Sequence, residues 1–270
     1  MTIVTISRGS YSRGKEVAEK TARRLGYDCI SRDILLEASE HFHIPEIKLV
    51  RAIHDAPSLL DRFTISRRAY VAYIQSAFTE RVKEDNVVYH GLAGHVLLRG
   101  IDHVLKVRII ADINDRVREE IEREGGTEAE AQSRIANDDE ERRRWTQSLY
   151  GVDPWDPALY DMVIHIHRFT VDDAVEMIVS ATKQPCFNAT DTSRQHMADL
   201  NLACEVKAAL VDDSPDFAVS AEWGNVVIYA KKADRHTQRL EADAKRLAKS
   251  NPSINNLEVH TGVPYPPSAV

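Results

Sequence analysis

Cysteine is scarce in this chain. Cys29, Cys186 and Cys204 are the only three in 270 residues, an odd number with no C-x-x-C spacing, which excludes a disulfide framework and a cysteine-built zinc site. Long apolar runs are missing too. None approaches the roughly 18 residues that a bilayer span needs, and Ile3 to Ile6 is too short for the apolar centre of a signal peptide, so the expected location is cytoplasmic. No basic block interleaved with aromatics occurs. With a formal net charge of −7 and a pI near 5.9, nucleic acid is excluded as a main partner, and any phosphate site must be local. There is no internal repeat and no low-complexity tract.

What is present suffices for a full core. A chain of this length with 43% hydrophobic residues accommodates one large domain and a small one. Its most informative stretch is residues 3–18. A β-branched strand runs into a loop ending at Gly14-Lys15, and the amphipathic run Val17, Ala18, Thr21, Ala22 and Leu25 follows, with Gly26 placed to stop that helix. Gly9, Gly14 and Lys15 fit the spacing G-x-x-x-x-G-K. In such a loop the backbone amides, here those of Ser12, Arg13, Gly14, Lys15 and Glu16, converge on phosphate oxygens while the lysine reaches the outer phosphates. Glu16 stands where the general pattern has a Ser or Thr on magnesium.

Strands and helices alternate, which predicts an α/β fold with a parallel sheet flanked by helices. Expected strands are Ile3–Ser7, Asp28–Ser31, Asn86–His90, Val104–Ala111 and Met162–His167, with helices at 14–25, 32–42, 45–54, 66–84, 113–124, 127–147 and 171–182. Residues 183–195 lose periodicity and gain polar turn formers, the composition of a linker. Beyond it the order is helix Leu200–Leu210, strands Phe217–Ala221 and Asn225–Lys231 around a Trp223-Gly224 turn, helix Arg235–Ser250 and strand Asn256–His260. That α-β-β-α-β order describes a small α+β domain, and the tail 265–270 is expected to be extended or disordered.

Several segments of residues 1–182 resemble the cytidylate kinase-like family of P-loop nucleoside monophosphate kinases. They are Thr5-Ile6-Ser7-Arg8, Ser12-Arg13-Gly14-Lys15-Glu16-Val17-Ala18, Asp28 with Arg32-Asp33-Ile34-Leu35, Arg134-Ile135 with Asp138, Arg142 and Trp145, and Tyr160-Asp161-Met162-Val163-Ile164. Glu16 is ordinary for that family, whereas Tyr11 and Arg13 stand where it usually has Gly. The resemblance implies ATP-dependent phosphoryl transfer with Mg2+ to a small phosphate acceptor. It implies catalytic roles for Lys15, Arg134 and Arg142, the last two on a mobile lid hinged at Gly125-Gly126. Eight residues apart, these two arginines share a helical face; the surrounding charges also suit a solvated helix laced with i,i+3 and i,i+4 pairs. Asp33 resembles the family's acceptor-entrance Asp, or it simply starts a helix. Arg67 and Arg68 are placed either to clamp the acceptor phosphate or to form a surface pair. His90 stands where the family has a strand-end Asp, or caps the strand through a local hydrogen bond. Where true cytidylate kinases read Asp-Gly-Arg-Asp this chain has His90-Gly91-Leu92-Ala93, and Leu92 and Ala93 offer no hydrogen bonds to a cytosine edge. Selectivity for CMP is therefore not expected.

Residues 196–264 resemble a BON domain in Val206 and Leu210, in the hairpin from Val219 through Trp223-Gly224 to Ile228, and in Ile254, Leu257 and Val259. That resemblance implies a binding role toward lipid headgroups, small ligands or a protein, while the same residues also suit packing or homo-oligomerisation. Two functions remain open at this level: a small-molecule kinase, or a non-catalytic nucleotide sensor signalling through the C-terminal module.

Overall fold

The structure, a computed structural model, describes residues 2–31, 33–43, 64–91, 93–212 and 216–270. The expected helix at 45–54 and residues Arg32 and Leu92 lie outside them, as do the side chains of Asp33 and Arg67. The described chain divides into two compact units. Residues 2–33 and 85–189 belong to one; 34–43, 64–84 and 190–270 belong to the other.

In the first unit, β1 (Ile3–Arg8), β2 (Asp28–Ile30), β3 (Val87–Tyr89), β4 (Val104–Ala111) and β5 (Met162–Ile166) form a parallel sheet in the order β2-β3-β1-β4-β5. The parallel arrangement expected from the alternating pattern is what forms. Val4, Ile6, Val88, Leu105, Val107, Ile109 and Ile164 line one face, where Val17, Ala18 and Ala22 of α1 (Gly14–Leu25) and Ala174, Val175 and Ile178 of α7 (Val171–Thr182) cover them. Small residues on both helices let them approach each other and the sheet closely, and dense packing of this kind is the main stabilising term of the unit. Gly26, at φ 70°, ends α1 with its N–H on the Ala22 carbonyl. The chain crosses from one side of β1 to the other, toward β3 first and β4 later, so the loop after β1 opens at the switch point where α/β sheets bind ligands.

Two further helices flank that loop. Asp112 caps α5 (Ile113–Glu124) by accepting from Asn114 N at 2.9 Å, and a Thr127/Glu130 capping box starts α6 (Glu128–Tyr150). Ala131 and Ile135 of α6 pack on Val117 of α5, with Tyr11 of the loop at the edge of the cluster. Gly125 and Gly126, between the helices, have φ 71° and 98°, a conformation that favours glycine. Short α4 (Gly94–Leu97) follows β3.

The second unit joins α2 (Asp33–Phe42, from Ile34 onward) and α3 (Thr64–Val82) to α8 (Asp191–Leu210), β6 (Phe217–Glu222), β7 (Asn225–Ala230), α9 (Arg235–Ser250) and β8 (Asn256–Thr261). The α-β-β-α-β order is present, with β6 antiparallel and β8 parallel to β7. Trp223 and Gly224 both have positive φ, 51° and 75°, as a two-residue type I′ hairpin requires, and the buried Asp199 carboxylate accepts from both of their amides at 3.0 and 3.2 Å.

Several boundaries differ from the sequence reading. Helix α8 starts at Asp191, inside the expected linker, because Thr190 and Ser193 form a reciprocal cap ahead of polar residues. Residues 34–43 and 64–84, expected within the first domain, group with the C-terminal residues. Ala69, Ala72 and Tyr73 of α3 bury against Ala208 and Val211, Tyr73 donates to Asp212 at 2.5 Å, and Asn201 donates to Glu80 at 2.9 Å. The tail is docked: Val270 and Val219 exchange both backbone hydrogen bonds, at 2.9 and 3.2 Å, and Val270 packs on the core of this unit. The three cysteines are free, with Cys204 buried and Cys186 exposed. Among the described residues no helix is long and apolar enough to cross a membrane.

Candidate phosphate-binding site

The loop of residues 9–13 is pinned from beneath. Ser12 is fully buried, and its hydroxyl donates to Gly9 O at 2.9 Å and lies 3.3 Å from Ile109 O, which ties the loop to β4. Tyr11 and Arg13 have φ 55° and 61°. The left-handed geometry that glycine supplies freely is thus kept here by two residues with side chains, at about 1–2 kcal/mol each. A Cβ on Gly14 would lie 2.6 Å from Arg8 Cβ, so only glycine fits there. The first intrahelical bond of α1 joins Val17 N to Arg13 O. The amides of Gly14, Lys15 and Glu16 precede it, at the positive end of the helix dipole, and are free of intrahelical acceptors.

A cleft of about 430 Å³ opens over this helix start. It is lined by Arg8, Arg13, Lys15, Arg123 and Arg142 together with Glu16, Glu19, Glu119 and Asp138. Some of these charges answer one another. Arg13 pairs with Glu119 at 3.4 Å, Lys15 with Glu19 at 3.6 Å and Glu16 with Lys20 at 3.2 Å. Others do not: among the described residues, the side chains of Arg8 and Arg142 meet no carboxylate and no carbonyl, and Arg123 lies 5.9 Å from the Tyr11 ring centroid. Burial, then the charges of Arg142 and Arg123, lower the Arg8 pKa to about 10. The rim is closed by α6. Asp139 accepts from Ser10 N at 2.9 Å and from Arg116 at 2.6 Å, Arg116 also donates to Ser10 O at 2.7 Å, and Ser10 Oγ lies 3.4 Å from Asp138.

The structure thus brings together Gly9, Ser12, Arg13, Gly14, Lys15, Glu16 and Arg142. It sets Arg134 apart. That side chain forms a bidentate pair with Glu120, one contact of which is 2.9 Å, and donates to Gly125 O at 2.8 Å. Glu120 is fully buried, so an unpaired carboxylate there would be costly, and Arg134 neutralises it. Arg68 lies in the second unit, on Asp216 at 3.1 Å. His90 is buried at the end of β3, its amide on Ile30 O at 3.0 Å. Asp33 begins α2. The i,i+4 pairing expected along α6 holds for Arg144 and Glu140 at 2.9 Å, but Asp138 and Asp139 turn to the loop instead. Arg8, Arg116 and Arg123 went unread in the sequence. Their signal was the alternation of β1, which puts Arg8 on the α1 side with Val4 and Ile6, and the seven-residue spacing of Arg116 and Arg123 on α5, which gives them one helical face.

The family profile of the cytidylate kinase-like family matches residues 3–168. The chain belongs to that family. A cytidylate kinase from Methanopyrus kandleri is 31% identical over 110 residues, covering 38% of this chain and 57% of the relative. One from Thermococcus kodakarensis is 30% identical over 102 residues, again 38% of this chain and 52% of the relative. The chain thus spans somewhat more than half the length of these curated relatives. A cytidylate kinase from Pyrobaculum aerophilum aligns over 183 residues at 24% identity, 67% of this chain and 93% of the relative. The crystal structure of an uncharacterized protein from Eubacterium ventriosum superposes with a TM-score of 0.53 at 20% identity, over 68% of this chain and 99% of the other, and shares the fold.

Proposed function

We propose that this protein transfers the terminal phosphoryl group of ATP to a small acceptor, as a nucleoside monophosphate kinase-like enzyme without selectivity for CMP. One observation carries the reading: Lys15 and Glu16, whose amides are unengaged, and the unpaired Arg142 all line one cleft at the switch point of the sheet. Phosphoryl transfer depends on positioned positive charge more than on a general base. The amides and Lys15 hold the phosphates, and Arg142, carried on α6, neutralises charge as the phosphoryl group moves. Lys15 reaches them by giving up its exposed pairing with Glu19.

Magnesium enters with the nucleotide. Such an ion keeps several waters and takes only one or two carboxylates. Asp138 suits it, as a cleft carboxylate with no cation of its own among the described residues, whereas Glu16, Glu19 and Glu119 are each paired. Held there, a bound magnesium would supply positive charge to the phosphates. The acceptor side falls to His90 and Asp33. Arg134 acts on the α5–α6 junction rather than on substrate, and Arg68, committed to Asp216, is left out. Ala93 has no group for a base edge, so CMP, UMP, AMP and dCMP should turn over at similar rates. Steady-state rates across those four with ATP test this, and a preference for CMP above roughly 100-fold, the scale of a lost hydrogen-bond pair, would refute it. Magnesium and ATP should raise Tm, and Lys15→Ala should remove most of that rise.

A second reading, a nucleotide sensor, is favoured by the Asp139 carboxylate on the Ser10 amide, which closes part of the loop. Occupancy is then read through the BON-like C-terminal module, whose ligand is a lipid headgroup, a small molecule or a protein. ATP binding without turnover on any acceptor would favour it.

A further inference from the structure

Residues 151–160 connect α6 to β5, and within them Pro154 alone is buried while 155–158 are exposed. The connection is fixed to the sheet at its end. Asp161 N donates to Lys106 O at 2.8 Å, and the Asp161 carboxylate accepts from Lys106 N at 2.7 Å. Just before it, the Tyr160 hydroxyl donates to Pro154 O at 2.8 Å and lies 3.2 Å from both Ser7 Oγ on β1 and His95 Nε2 on α4. Arg108 Nη1 of β4 donates to the same carbonyl at 2.6 Å. A phenol has one proton to give. Pro154 O can only accept, so the proton goes there, and Ser7 and His95 donate to the phenol oxygen. Burial, then the charges of Arg108, Lys106 and Arg99, push the His95 pKa down to about 3, so the ring is neutral and carries its proton on Nε2. Arg108 and Tyr160 already fill both lone pairs of Pro154 O. Ser7 and His95 add nothing to that carbonyl; they fix where the phenol stands relative to β1.

The other end of the connection is held by α6. Arg143 donates to both oxygens of Asp153, at 2.6 Å to the nearer, and its Cζ lies 4.3 Å from the Trp155 ring centroid. Its neighbour Arg142 lines the cleft over the loop. Successive residues of a helix point about 100° apart, so α6 turns one guanidinium to the cleft and the next to the connection. Ser7 is followed directly by Arg8, which lines the same cleft.

We propose that Tyr160 is a positioning residue for phosphoryl transfer: its hydroxyl joins the strand that carries the phosphate loop to the connection that α6 grips through Arg143, and so sets where Arg142 stands over the cleft. This rests on the kinase reading above and adds to it a residue outside the cleft lining. Positioned charge loses much of its effect on a misplacement of about 1 Å. The tie therefore matters more to Arg142 than to stability.

The test is calorimetric titration of the full chain with ATP and magnesium, in the wild type, Tyr160→Phe, Ser7→Ala and Arg142→Ala, and in each of the first two variants combined with Arg142→Ala. Hydrogen exchange of the same proteins without ligand accompanies it. Tyr160→Phe keeps the ring and loses the hydroxyl, so ATP should weaken by about fivefold, the scale of one hydrogen bond. Ser7→Ala should do the same. On the Arg142→Ala background either change should cost less than about twofold, because no guanidinium is left to position. Equal losses on both backgrounds, the mark of a phenol that is merely structural, would overturn the proposal, as would no loss on either. The amides of Trp155 and Asp156, each held on Asp153 at 3.0 Å, should exchange faster in both single variants. Unchanged exchange would also overturn it, since the phenol would not then hold the connection. If Tyr160→Phe fails to fold, Ser7→Ala carries both comparisons. A wild type that binds no ATP ends the kinase reading and the positioning role with it, while exchange still decides whether the tie exists.

Discussion

Two half-buried cations, one in each unit, solve the same problem differently. Lys207 of α8 donates to Phe217 O, sits 4.0 Å from the Phe217 ring centroid, and has its pKa lowered to about 8, first by burial and then by Arg68. Arg8 is lowered to about 10 and has, among the described residues, neither a carbonyl nor a carboxylate. Burial strips water from both, and only one receives replacement contacts from its own chain. A satisfied buried charge holds a fold together. The other, Arg8, lines the cleft of the first unit instead.

If the second unit is purely a packed structure, its seam should be the most sensitive place in the molecule. Tyr73→Ala removes a side chain that stacks on Phe42 at 4.3 Å and bonds Asp212. Loss of an aromatic of this size costs about 3–5 kcal/mol. Chemical denaturation should show it, with Tm lowered by roughly 10 °C. Tyr73→Phe, which loses only the hydroxyl, should cost about 1 kcal/mol. Equal effects of the two would mean that the ring is not packed as described.

The loop comes next. Gly14→Ala forces its Cβ against Arg8, so stability should fall by about 1–3 kcal/mol, the usual cost of overpacking, and the Tm rise with magnesium and ATP should disappear. A variant that keeps the full rise would contradict the tight contact.

Lys207 sharpens the contrast through pH. Its folded pKa is below its ordinary value, so the unfolded chain holds the proton more tightly. The folded state is disfavoured near pH 8 and below, and gains as pH rises from 8 toward 10.5, by up to about 1.4 kcal/mol per unit. Urea unfolding at pH 7.5 and 9.5 should show the wild type gaining on Lys207→Met. Parallel behaviour would mean that Lys207 titrates normally.

The two arginines of α6 should shift stability in opposite directions. Arg134→Ala leaves Glu120 buried without its partner and should lower Tm while ATP affinity stays near wild type. Arg142→Ala should leave Tm unchanged or raised while ATP affinity and turnover fall. The same response from both would erase the distinction drawn between them.

The parallel sheet was legible because its strands are short β-branched runs between helical repeats, and the loop because glycine and lysine spacing carries a mechanism. The roles of Arg134 and Arg142 were not. Helical periodicity places both on one face of α6 but cannot tell that a buried Glu120 waits for one of them fourteen residues upstream. The start of α8 was hidden by polar residues whose burial depends on tertiary packing. The membership of α3 was equally out of reach, since Ala69, Ala72 and Tyr73 announce a buried face without naming what buries it.

That last feature also bears on how the chain comes into being. The α3 face leaves the ribosome more than a hundred residues before α8, its partner at Ala208 and Val211, has been made. At about 5–20 residues per second the wait lasts on the order of 10 s. Throughout it the stripe of Ala69, Ala72 and Tyr73 lacks the cover that α8 gives it, so a nascent chain paused between residues 90 and 190 should be the form of this protein that chaperones hold most strongly.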